Sequence, residues 1–131
     1  MFLLDTDTVS AIIRDKRSIG SFAKLLSEAE WGISSITLME IVYGRDLLDD
    51  NDGRRKLISE FLRFVKVFDF NSRAAEVAGH VRSELRKTGK PIGAFDPLIA
   101  GHALALDAVL VSANTKHFSK VKNLKLVNWL K

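Results

Sequence analysis

Five short apolar runs punctuate the chain: Met1 to Leu4, Trp31 to Ser34, Val67 to Phe70, Ala108 to Ser112 and Leu124 to Trp129. Runs this short, bounded by polar or turn residues, fit buried strands better than core helices. Most are separated by stretches whose apolar residues recur at helical spacing. Strands that alternate with helices imply a parallel sheet with helices on both faces. Right-handed crossovers then bring the strand C-termini to one edge, where open α/β sheets place their sites. The expected fold is α/β, a single α/β/α sandwich around a central parallel sheet of four to five short strands. Strand order does not follow from sequence. With 131 residues, 47% of them apolar, the chain can build one core and not two, so residues 1–131 are expected to form one domain.

Local signals place the helices. Val9, Ile12 and Ile13 give the first its inward face, and Ser18 caps a second that carries Phe22, Leu25, Leu26 and Ala29. Ser35 is expected to cap a third, with Leu38, Ile41 and Val42 apolar around Glu40. The segment LLDDNDGRRK breaks the pattern and reads as an exposed loop. Leu57, Ile58, Phe61, Leu62 and Val65 then share one helical face. Asn71 caps a helix carrying Ala74, Ala78, Val81 and Leu85, and TGKPIG is a turn-rich loop. Asp96 precedes Pro97. Proline disfavours the α region for the residue before it and suits the first helical turn, so Asp96 is expected as N-cap of a helix from Pro97 to Leu106.

Three acids recur at such junctions: Asp5 in LLDTD, Glu40 in SSITLMEIVYG and Asp96 in GAFDPLIAGHA. Each has a bland alternative. Asp5 could be only a helix N-cap, a role that is worth about 0.5–2 kcal/mol. Glu40 could lie on a solvated helix face, and Asp96 has its own capping role. Taken together they suggest more, because three carboxylates brought to one sheet edge repel unless a cation neutralises them. Mg²⁺ and Mn²⁺ take hard oxygen ligands and keep several waters, so two or three carboxylates suffice. Such an ion polarises phosphoryl oxygens and acidifies water. Asn114, just after the fourth strand, is a possible fourth member. Thr6 and Ser112 could hold waters or phosphate oxygens beside the acids. Asp7 is a neighbour of the site or, in the preferred reading, the cap of the first helix.

Charge and composition agree with a phosphate-bearing partner. The net charge is +4 and the pI near 9.5, which favours polyanions. The candidate phosphate contacts are Arg82, Arg86, Lys87 and Lys90 ahead of Asp96, and Lys116, His117 and Lys120 after Asn114. Lys90 and Lys116 are expected near the acids, whereas Arg54, Arg55 and Lys56 read as solvated surface. Cysteine is absent, which excludes disulfides and thiolate chemistry and suits a reducing cytoplasm. The start MFLLDTD is neither a signal peptide nor a membrane anchor, and no apolar run approaches the roughly 20 residues of a bilayer span. A cytoplasmic protein with no membrane partner is expected.

In order along the chain, LLDTD, SSITLMEIVYG and RSELRKTGKPIGAFDPLIAGHALALDAVLVSANTKHF resemble the PIN-domain ribonucleases, and within them the VapC-type toxins of toxin–antitoxin pairs. The resemblance implies that Asp5, Glu40 and Asp96 bind Mg²⁺ or Mn²⁺ and that Asn114 positions the attacking water. Asn114 stands where the family often has a fourth acid, and asparagine is common there in this subgroup. Hydrolysis would leave a 5′-phosphate and a 3′-hydroxyl without a 2′-hydroxyl nucleophile. The implied substrate is a structured RNA such as tRNA, with the initiator tRNA anticodon loop preferred, and the candidate phosphate contacts would then be to RNA. The implied partners are a second copy of the chain and a VapB-type antitoxin that lays an apolar segment across the site, with a basic or polar group probing the acids. Phe22, Tyr43, Phe61 and Phe64 are candidate contacts with it.

Three other functions compete. LLDTDTV also matches the opening of haloacid-dehalogenase-type phosphatases, with Asp5 as nucleophile and Asp7 as general acid/base. That chemistry needs a later acidic pair, which VLVSANT does not offer. A metal-independent RNase would use His80, His102 and His117, but His102 lies in the apolar IAGHALAL and reads as a core residue. Last, Asn114 could blunt the site and leave a non-catalytic RNA-binding module.

Overall fold

The structure is a computed structural model, and it describes residues 1–14, 27 and 30–129. The helix expected behind Ser18, with Phe22, Leu25, Leu26 and Ala29, lies outside the described residues. Within them the strands are β1 (Phe2–Leu4), β2 (Trp31–Ser34), β3 (Val67–Phe68), β4 (Val109–Val111) and β5 (Lys125–Val127). The helices are α1 (Thr6–Arg14), α2 (Ser35–Asp46), α3 (Gly53–Phe64), α4 (Ser72–Lys87), α5 (Asp96–Ala105) and the single turn α6 (Thr115–Phe118). The strands form one sheet in the order β3-β2-β1-β4-β5, and every pairing is parallel. The α/β reading is borne out, with strands trimmed at their ends.

Two neighbouring leucines show how the layers form. Successive strand side chains point to opposite faces. Leu3, with Leu110 beside it on β4, enters a core with Val81 and Leu85 of α4, Ile99 and Ala103 of α5, and Phe118 of α6. Leu4, with Val111, enters the other core with Val9 and Ile12 of α1, Ile41 of α2 and Trp129. Ile58, Phe61, Leu62 and Val65 of α3 and its C-cap pack against that second core, as their spacing predicts. On the first face α4 and α5 press together at Gly101. A Cβ there would stand 2.4 Å from the Ala78 backbone, so only glycine allows this approach.

The caps differ from expectation in an instructive way. Asn71 caps α4, accepting from Ala74 N–H at 3.0 Å as its position predicts. Ser34, not Ser35, caps α2 by accepting from Ile36 N–H, while Ser35 accepts from Phe70 N–H instead. Asp5, not Asp7, caps α1. Phe95 precedes α5, so Asp96 is already its first helical residue and makes no side-chain cap. The loop read as LLDDNDGRRK ends at Asp52, which accepts from Arg54 N–H and starts α3. For α1 and α2 two adjacent or near-adjacent residues could cap, and backbone geometry decided between them. After α4, Gly89 takes φ +70, a left-handed conformation that glycine adopts without strain. Among the described residues no helix is long and apolar enough to cross a membrane.

Candidate acidic site at the sheet edge

Strand order reverses between β1 and β4, and Asp5 and Ser112 follow those two strands directly. A ligand crevice in an open α/β sheet lies outside the strand ends at such a reversal. Asp5 N–H continues the ladder to the Val111 carbonyl at 3.1 Å, which fixes the backbone. Its side chain is 7% exposed and accepts from Thr8 N–H at 2.9 Å and from the Ser112 hydroxyl. Thr8 in turn donates its hydroxyl to the Val111 carbonyl at 3.1 Å. Burial pushes the Asp5 carboxyl above its ordinary range against these hydrogen bonds, and the Asp7 charge adds to the shift.

Glu40 reaches the same edge from the middle of α2. Its Oε1 accepts the Thr6 hydroxyl at 2.8 Å, which ties α2 to the start of α1. Burial raises its carboxyl, and the charges of Asp96, Asp7 and Asp5 raise it further. Asp96, in the first turn of α5, is also raised, chiefly by burial and then by Asp5 and Asp7, while His117 opposes the rise. His117 Nδ1 stands 3.7 Å from Asp96 Oδ2 and 3.0 Å from Asn114 Nδ2. Asn114 is anchored by its own backbone N–H, which donates to Ser112 Oγ at 3.0 Å.

Asp5, Asp7, Glu40 and Asp96 therefore share one electrostatic neighbourhood. Among the described residues, however, no three Asp, Glu or His side chains converge at the spacing of a bound ion. Ionised carboxylates repel, and a spread arrangement is what that repulsion favours. Their oxygen donors are of the hard kind that Mg²⁺ takes, although in this structure the acids stand apart. Asp7 is exposed on α1 and acts on the other acids through its charge.

The basic candidates divide. Lys116 and His117 sit on α6 beside Asn114, at the acidic edge. Lys90 does not. It shares a groove with Lys120 and Leu104, and Leu104 lies eight residues, or about 12 Å, along α5 from Asp96. The loop that carries Lys90 leaves the far end of α4, a turn that sequence proximity to Asp96 concealed. Arg82, Arg86 and Lys87 are exposed on α4.

Sequence reasoning missed a second groove, of about 390 Å³, that opens beside Glu40 and Thr6. Ile13, Ile41, Leu48 and Ile58 line it, and Arg14, Arg45 and Arg54 supply its charge. Arg54 is exposed, as expected from sequence, pairs with Asp52 at 2.7 Å and borders this groove. Arg55 is structural, donating to the carbonyls of Arg45 at 2.8 Å and Leu48 at 3.2 Å. The only available signal was the helical register of Arg14, Arg45 and Arg54, which three separate helices had to bring together. His102 is the core residue expected: it is 1% exposed, its Nδ1 lies 2.8 Å from Ser34 Oγ, and burial lowers its pKa.

Comparison with known proteins bears on what this edge does. A model of the PIN domain matches residues 2–124. The tRNA(fMet)-specific endonuclease VapC of Shigella flexneri is 34% identical over 98% of this chain and 97% of its own length. The DNA-bound VapBC structure from Salmonella typhimurium superposes with a TM-score of 0.90 at 32% identity, covering 98% of this chain and 97% of the matched one. VapBC2 from Rickettsia felis, bound to a DNA fragment from its promoter, gives 0.88 at 34% identity, with 98% of each chain covered.

Proposed function

The chain belongs to the PIN-domain family, and within it to the VapC-type ribonucleases of toxin–antitoxin systems, and from that premise we propose that it is an endoribonuclease that hydrolyses structured RNA with Mg²⁺ or Mn²⁺. The observation that carries the reading is the gathering of Asp5, Asp7, Glu40 and Asp96 at the β1–β4 reversal of a chain with net charge +4. Asp5, Glu40 and Asp96 would hold the ion. When bound, it would polarise a phosphoryl oxygen and lower the pKa of a water. Ser112 and Thr8 fix the Asp5 carboxylate, and Thr6 fixes that of Glu40. Asn114 would position the attacking water, its backbone locked to Ser112. Lys116, exposed on α6, would hold a phosphate of the substrate, with Arg82, Arg86, Lys87 and Lys90 as outlying contacts.

The substrate we favour is tRNA, and within that class the anticodon loop of the initiator tRNA. Similarity to an endonuclease specific for tRNA(fMet), over nearly the whole chain, supports the choice. Cleavage there would stop translation.

For the partners, we place a VapB-type antitoxin segment in the groove beside Glu40, its apolar side chains on Ile13, Ile41 and Ile58. Phe64 is exposed and open to the antitoxin, whereas Phe61 packs against the core and Trp31, and Tyr43, though exposed, belongs to a different stripe. A second copy is the occupant proposed for the stripe of Met39, Tyr43 and Leu47, which stand at every fourth position on the outer side of α2 and its C-cap. One rival loses ground on geometry: His102 is 1% exposed, too deeply buried for acid–base work on RNA.

One experiment tests the reading. Incubation of RNA with the full chain and Mn²⁺ should yield 5′-phosphate and 3′-hydroxyl ends, and chelation should stop the reaction. Ends with a 2′,3′-cyclic phosphate, or cleavage that survives chelation, would refute it. The absence of any cleavage would favour the RNA-binding module.

A further inference from the structure

α6 holds one side chain in and leaves the next out. Phe118 is 1% exposed in the core beneath the sheet, while the side chain of His117, one residue earlier, is 45% exposed and turned to the acidic edge. Its Nδ1 faces two groups at once, Asp96 Oδ2 at 3.7 Å and the Asn114 side-chain amide at 3.0 Å. The first distance is too long for a hydrogen bond. In the second, the amide nitrogen and oxygen of Asn114 are interchangeable by a 180° flip, which would turn Oδ1 toward the imidazole. The three groups then form a compact set of carboxylate oxygen, amide oxygen and imidazole nitrogen. Neighbouring ligands of one octahedral ion, with bonds of about 2.1 Å, stand about 3 Å apart. The imidazole already stands at that distance from the Asn114 amide, at 3.0 Å, whereas Asp96, at 3.7 Å, has to draw in.

We propose that His117 is a nitrogen ligand of the divalent ion at this site, binding through Nδ1 beside Asp96, and that it biases the site towards Mn²⁺ over Mg²⁺. The inference rests on the reading that the acids hold such an ion. The chemistry follows from the donors. A site of oxygen ligands alone suits Mg²⁺, whereas imidazole adds most to the binding of transition ions. Asn114 contributes no charge, so the Asp96 corner attracts a hard cation less strongly than two carboxylates would. A neutral nitrogen restores affinity there, and does so selectively. Lys116 beside it has no such role, since its ammonium carries no lone pair to donate.

The test uses the full chain and Mn²⁺ alone. Pulsed electron paramagnetic resonance of bound Mn²⁺ should show coupling to a directly coordinated ¹⁴N, which His117→Ala removes and His80→Gln retains. Titration calorimetry should show the Mn²⁺ affinity of His117→Ala reduced about tenfold, and its Mg²⁺ affinity by about twofold or less. The side chain is half-exposed, so circular dichroism of the variant should match the wild type. Bound Mn²⁺ without nitrogen coupling, or equal Mn²⁺ affinity in His117→Ala, would overturn this proposal and leave the nuclease reading standing. Failure of the wild type to bind Mn²⁺ at all would overturn both.

Discussion

The two aspartates that flank the β1–β4 crevice are both raised by burial, yet they are held in opposite ways. Asp5 ends a central strand, is 7% exposed, and is fixed by Thr8 N–H and the Ser112 hydroxyl. Asp96 opens a helix, keeps a third of its side chain exposed, and has the His117 imidazole at 3.7 Å. One corner is buried and hydrogen-bonded into the fold. The other is partly open to solvent and caps no helix. A site built this way has an anchor and an open arm, which suits a cation that must be bound while substrate and waters exchange around it.

Substitutions can break the comparison where it is strongest. Asp5→Asn keeps the acceptor for Thr8 N–H but removes the charge, so RNA cleavage should fall about a thousandfold or more with the circular dichroism spectrum unchanged. Asp96→Asn should cost about a hundredfold, since its corner has other donors. Equal activity of either variant and the wild type, in a gel assay of RNA cleavage, would remove the acids from catalysis.

Stability should separate the corners in a second way. Asp5→Ala deletes the cap of α1 as well as the charge. Chemical denaturation should show a loss of about 1 kcal/mol, the usual value of such a cap. Asp96→Ala removes no capping hydrogen bond and relieves repulsion, so its stability should lie within about 0.5 kcal/mol of the wild type. A larger loss at Asp96 than at Asp5 would reverse the assignment of anchor and arm.

The smallest effect is one of pH. Asp5, Glu40 and Asp96 all have carboxyls raised above the ordinary 3.8 and 4.5. Between those values and their raised ones the folded chain binds more protons than the unfolded chain, so stability falls as pH rises through that window. The chelated protein should therefore gain stability as pH is lowered through the raised values towards the ordinary ones. Mn²⁺, by neutralising the same charges, should flatten the dependence. Denaturation midpoints across pH, with and without Mn²⁺, measure both. A chelated protein that only loses stability on mild acidification would show that burial and neighbouring charge do not raise these carboxyls.

Much of the scaffold was legible because its signals are local. The short apolar run from Met1 to Leu4 and the helical spacing of Ala74, Ala78, Val81 and Leu85 each occupy a few residues and need no knowledge of distant chain. Caps were less legible, since Ser34 and Ser35, or Asp5 and Asp7, offer the same chemistry one or two positions apart. The reach of Lys90 was misjudged because a loop's direction depends on where its helix ends.

The sequence alone determined that strands and helices alternate and that acids stand where one gives way to the other, since periodicity and polarity are written within single turns and strands. Only tertiary structure decided that β4 lies beside β1, which sets Ser112 against Asp5 across 107 residues of chain and turns His117 toward Asp96. It also assembled the arginine-rimmed groove from α1, α2 and α3. Strand order is chosen by which apolar faces can be buried together, a property of the whole molecule that no short segment carries.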